Sequence, residues 1–224
     1  MVKEIQKIFH LLLSVAFSST GFIAAVTITV LAAREVSSNP YLIGIPNAFG
    51  VGGAVIGTQM FDYMSRRYSK NRALSNTFLI GGLGGLIQIY SLLIDSFVIL
   101  LLGAFILGVG QSAALQTRYV ASYVASESFK ATALSLAVWF SVFGSIFGPR
   151  LVGEYSAIFD KWFGSELIVG YFIATIGMFL AGMSVLIFSQ KDSSLNNKIV
   201  TDKALKLSEL DTTARLLTKI LVLN

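Results

Sequence analysis

Residues 57–72, GTQMFDYMSRRYSKNR, set one acid, Asp62, among Arg66, Arg67, Lys70 and Arg72. Two uncharged apolar runs flank this stretch, and a basic turn between such runs reads as cytoplasmic, because Lys- and Arg-rich loops are retained on that side of a membrane. Arg150 and Glu154, four residues apart, share one helical face and can pair near the opposite surface, an interaction of a few tenths of a kcal/mol. The chemistry on offer is ionic contact, not bond-breaking. There is no cysteine and one histidine, His10, so thiolate nucleophiles, disulfides and shared-histidine metal sites are excluded and no metal or cofactor is expected. No carboxylate lies deep in an apolar run, which leaves neither the paired acids and bases of an enzyme nor an obvious proton carrier.

One further pattern, Gly108-Val109-Gly110-Gln111-Ser112-Ala113, fits a dinucleotide fingerprint. That motif cradles phosphate only between a strand and a helix, whereas here it lies inside an apolar run. The remaining candidates are uncharged polar residues within such runs: Ser18, Ser19, Thr20, Asn47, Gln88, Gln111, Gln116 and Ser141. They can hydrogen-bond a passing solute or a neighbouring helix. Ser18, Thr20, Asn47, Gln111 and Gln116 are the strongest candidates for a solute pathway.

The elements that position these residues are legible from length and hydropathy. Hydrophobic residues make up 54% of the chain and charged residues 13%, about half the share in soluble domains, with a mean hydropathy of +0.74. Uncharged runs span residues 9–33, 41–61, 73–94, 97–117, 131–153 and 167–188, the fifth carrying Arg150 near its end. Each matches the roughly 20 residues that cross about 30 Å of hydrocarbon as a helix, and the first is longer than the core of a cleavable signal. The fold class expected is therefore an all-α integral membrane protein with six transmembrane helices in one bundle.

Orientation follows from the bases. With both termini cytoplasmic, only Arg34, Arg150 and Lys161 of the 17 fall outside. The same topology accounts for the net charge of +5, which otherwise invites a nucleic-acid reading; the bases occupy turns and a tail, not a face with aromatic stacking partners. Arg118 reads as the cytoplasmic end of the fourth span, its side chain snorkelling to water. His10 reads as an interfacial or helix-packing residue.

Glycines cluster at helical spacing, as in Gly53/Gly57, Gly81/Gly85 and Gly144/Gly148. Missing side chains let helix backbones approach, which matters where no hydrophobic effect drives helices together. Phe61-Asp62 after the second span is echoed by Phe159-Asp160 after the fifth, as two three-helix units related by inversion would give. Residues 190–224 change character, with Leu207, Leu210, Ala214, Leu217 and Leu221 at steps of three and four, an amphipathic tail or linker on the cytoplasmic surface. The domains expected are a bundle over residues 1–189 and this segment over 190–224.

Three stretches resemble the major facilitator superfamily of transporters. Asp62-Tyr63-Met64-Ser65-Arg66-Arg67 is similar to the D-R-x-G-R-R/K core of its loop between helices two and three; Tyr63 replaces the first base, Ser65 the glycine, and Gly57 stands one place before the usual leading glycine. Gly108 and Gly110 match the R-x-x-x-G-x-G of its fourth helix, with Ala104 in place of arginine. Gly144, Gly148, Pro149 and Gly153 resemble the G-x-x-x-G-P-x-x-G-G element of exporting members, with Val152 for one glycine.

The resemblance implies that Gly57, Asp62, Arg66 and Arg67 form a conformational latch and that the chain is the N-terminal six-helix half of a transporter. It further implies a second half as partner, a small solute carried by alternating access between halves, and a plasma-membrane location. The alternative is a membrane scaffold or degenerate transporter fragment that kept the fold and lost the activity.

Overall fold

Apolar runs become helices in lipid because every backbone N–H and C=O must find its partner within the segment. A computed structural model describes residues 2–37 and 39–187 of the chain, and among these the helices α1 (Val2–Val36), α2 (Ile45–Arg67), α3 (Lys70–Leu93), α4 (Phe97–Val124) and α5 (Lys130–Phe163) are followed by α6, described over Ile168–Ile187. All six expected spans are present as helices long and apolar enough to cross a membrane, and no strand occurs among the described residues. The reading of residues 190–224 as a cytoplasmic amphipathic segment lies outside them.

The helices outrun the apolar runs. At about 1.5 Å per residue, the 35 residues of α1 and 34 of α5 exceed the hydrocarbon thickness by roughly 20 Å. The largest correction concerns residues 57–72. Instead of a turn, α2 runs through Asp62 to Arg67, α3 starts at Lys70, and only Tyr68 and Ser69 are left to reverse the chain. Arg66 and Arg67 in the last turn of α2 oppose the negative end of the helix dipole, and the Ser69 side chain accepts from the Arg72 N–H to start α3. Basic residues that look like loop in one dimension thus extend a helix beyond its apolar run.

The opposite turns are closed by similar devices. Asn39 Oδ1 accepts from the Tyr41 N–H at 3.0 Å ahead of a short 3-10 turn at Pro40–Leu42, and Pro46 sits in the first turn of α2, where its missing N–H costs nothing. Gly164, at φ +73°, ends α5 in the left-handed conformation that glycine adopts without strain.

Packing follows the glycines. α4 takes the centre, with its most extensive contacts to α3 and α2, while α1 packs along α5. A β-carbon on Gly57 of α2 would lie 2.8 Å from the Val109 Cα of α4, and one on Gly148 of α5 would lie 2.7 Å from the Thr20 carbonyl oxygen of α1. α6 fits against α1 through Gly21 and Ala174, and against α3 through a buried hydrogen bond from Ser75 Oγ to the Gly182 carbonyl at 2.8 Å. At the N-terminal end of α1, Ile8 and Leu12 pack on Ala133 and Ala137 of α5, and Glu4 accepts from the Ser126 N–H at 3.1 Å.

Coverage is uneven. Only 17% of the α2 span and 28% of the α5 span is buried, against 50–61% of the other four. Val51, Val55 and Ile56 on α2, and Trp139, Phe143 and Ile146 on α5, are exposed within the described bundle.

Candidate functional site

Asp62, Arg66 and Arg67 stand on the last turn and a half of α2. The carboxylate of Asp62 accepts from Arg66 Nη2 at 2.8 Å, and Arg67 Nη1 donates to the Tyr63 hydroxyl at 3.2 Å. Both contacts are i,i+4 on one helix, so the acid expected to tie helix ends together pairs here within α2. The Asp62 and Arg66 side chains are 59% and 79% exposed, leaving them free to exchange partners. Gly57, grouped with them by sequence, lies well inside the membrane span, buried against Val109 and Ser112 of α4. Across the turn, Lys70 Nζ sits 3.4 Å from the centroid of the Tyr123 ring, a cation–π contact joining the start of α3 to the end of α4.

The fifth-helix element divides in two. Gly144 and Gly148 are seated on α1: a β-carbon on Gly144 would meet the Ala16 carbonyl oxygen at 2.6 Å. Gly153 faces open space, with nothing within 4 Å of the place a β-carbon would take. Pro149 lies inside α5, where it withholds the N–H that would complete the helix ladder. Arg150 Nη2 and Glu154 Oε1 stand 3.9 Å apart and well exposed, as their spacing predicts.

The pathway candidates do not form one cluster. Ser18 is fully buried and donates to the Ser14 carbonyl, and Thr20 donates to the Ala16 carbonyl, so both hydroxyls are spent on α1 itself. Asn47 belongs to the first turns of α2, at the other end of the bundle from Asp62. Gln111 and Gln116 on α4 are partly exposed but, five residues apart, point about 140° from each other. Gln88 is buried against Gly103, its Oε1 without a hydrogen bond. Gly108 and Gly110 belong to helix packing: Gly108 is pressed on Gly50 of α2 and Gly110 on Gly81 of α3. His10 is buried in α1, as the packing reading expects.

Arg118 departs from the snorkelling expectation. Its Nη2 donates to Ser141 Oγ of α5 at 3.2 Å, and its Nε is buried without a partner. The signal available in sequence was only a base just past the apolar run; which way it turned depended on α5, 23 residues away. No group of three or more metal-ligating side chains occurs among the described residues.

Comparison with known proteins follows the same outline. The chain is 32% identical over 183 residues to YddS, an uncharacterized MFS-type transporter of Bacillus subtilis, covering 81% of this chain and 42% of the relative. It is 31% identical over 188 residues to a second such transporter of that organism, YdeG, covering 84% and 44%. The riboflavin transporter RfnT of Brucella anthropi is 28% identical over 122 residues, covering 54% of this chain and 31% of the relative. The chain thus spans less than half the length of the curated relatives it matches. No protein-family profile and no solved structure matches it.

Proposed function

Because the chain belongs to the major facilitator superfamily, whose members here are transporters and not enzymes, we propose that it is one six-helix half of a secondary transporter moving a small solute by alternating access. The observation that carries this reading is the uneven coverage: α2 and α5 are the least buried helices, and the relatives are about twice as long. A second six-helix half laid against these two helices, from a longer chain or another copy, supplies the missing wall of a solute pathway. Rocking of two such halves exposes the pathway to each side in turn.

In this reading both termini are cytoplasmic and the membrane is the plasma membrane. Asp62, Arg66 and Arg67 act as the latch by exchanging their partners within α2 for groups on the opposing half. Gly57, Gly144 and Gly148 hold the moving helices at close approach, Pro149 and Gly153 bend and free the outer part of α5, and outward export is the favoured direction. Gln111, with Ser18, Thr20, Asn47 and Gln116, belongs to the pathway candidates.

The test is transport by vesicles containing the chain, alone and with a six-span partner, over a solute panel that includes riboflavin, the solute named for one relative. Solute movement dependent on the chain supports the reading. Correct insertion without transport in either setting favours a scaffold or degenerate fragment instead.

A further inference from the structure

Arg118 is a partly buried cation in the bundle with no ion pair among the described residues. It stands on α4 six residues before that helix ends at Val124, with Tyr119 and Tyr123 beside it facing outward. A lipid-snorkelling arginine follows such tyrosines toward water and headgroups. Arg118 turns across the bundle instead. Its guanidinium reaches Ser141 Oγ, and that hydroxyl has already donated its hydrogen to the Val138 carbonyl at 2.7 Å, so an oxygen lone pair faces the arginine. Ser141 is buried, and Ser145, one turn along, donates back to the Ser141 carbonyl at 2.8 Å.

The charge is not balanced by this contact. A guanidinium carries five N–H donors in a planar fork suited to two acceptor oxygens, yet its one hydrogen bond among the described residues goes to a neutral hydroxyl. The ion pairs there are Glu4–Lys7, Asp62–Arg66, Glu127–Lys130 and Glu154–Arg150, and none includes Arg118. Gln111 lies two turns along the same face of α4, offset by about 20°, and its side chain makes no hydrogen bond among the described residues. That face runs between the row meeting α3, at Gly103 and Gly110, and the row meeting α2, at Gly108. From this face Arg118 reaches α5 through Ser141, and α2 and α5 are the two least covered helices.

We propose that Arg118, held by Ser141, is an anion receptor at the inner mouth of the bundle, binding the carboxylate or phosphate group of a solute. Gln111 lies farther along the same face, positioned for an uncharged polar part. The receptor rests on the solute pathway proposed for the two halves. Its test is therefore a binding measurement that does not depend on transport.

The full chain in phosphatidylcholine nanodiscs is titrated with sodium acetate and, separately, with inorganic phosphate, replacing sodium chloride at constant ionic strength and pH, with thermal unfolding as the readout. At least one anion raises Tm saturably; acetate alone identifies a carboxylate receptor, and phosphate alone a phosphoryl receptor. Arg118→Gln weakens the apparent affinity about tenfold or more. Arg118→Lys, which keeps the charge but loses the fork, and Ser141→Ala, which frees the arginine, give smaller losses and remain informative if the glutamine variant does not fold. No stabilisation by either anion, equal stabilisation of the wild type and all three variants, or stabilisation only when phosphatidylglycerol is added to the disc would overturn the proposal, the last because Arg118 would then be a lipid anchor. Anion binding without transport leaves the receptor standing and counts against the transporter reading; transport without anion binding does the reverse.

Discussion

Gly81 on α3 and Gly110 on α4 meet backbone to backbone: a β-carbon on Gly81 would lie 2.5 Å from the Gly110 Cα, and one on Gly110 would lie 2.6 Å from the Gly81 Cα. No side chain fits between them without parting the two helices that share the most extensive interface in the bundle. Gly81→Val and Gly110→Val are each expected to destabilise the fold by about 1–3 kcal/mol or more, read as a lower unfolding temperature in detergent. Gly153→Ala serves as the control, since nothing lies within 4 Å of the added carbon; relief of glycine's backbone entropy there leaves Tm unchanged or slightly higher.

The Asp62–Arg66 pair separates a structural from a functional role. Both side chains are well exposed on one helix, and such a pair contributes only about 0.3–0.5 kcal/mol. Asp62→Asn should therefore insert normally and unfold within a degree or two of the wild type. With a transport-competent partner half it is expected to slow solute movement severalfold. Unchanged transport would remove the latch assignment.

The bond from Ser75 Oγ to the Gly182 carbonyl ties α6 to α3 across 107 residues of chain. Interhelical hydrogen bonds in membranes average about 0.6 kcal/mol, with a ceiling near 1.7. Ser75→Ala is expected to cost an amount in that range, far less than a misplaced side chain at Gly81. Equilibrium unfolding of the two variants under the same conditions checks the order.

Topology is open to a clean measurement because the chain has no cysteine. Tyr68→Cys, in the turn after α2, should react with an impermeant maleimide only when the inner face is exposed, and Lys161→Cys, at the end of α5, only from outside. Both side chains are exposed, so neither result is confounded by burial. Labelling of Tyr68→Cys from outside intact cells would reverse the assigned orientation and with it the inner-mouth position of Arg118.

The class of this protein was written along the chain. Whether a segment enters lipid depends on the transfer free energies of its own residues, which add locally, so six spans and their glycine-rich character were legible without coordinates. Helix ends were less so: Asp62, Arg66 and Arg67 look like loop by charge, yet their i,i+4 contacts and the dipole at the end of α2 keep them helical. Partners were illegible altogether. That Gly110 meets Gly81, that Gly153 meets nothing, and that Arg118 turns to Ser141 depend on how six rotated helices settle against one another. Burial in lipid is a property of one segment, whereas a contact is a property of two, and only the folded bundle brings the second one near.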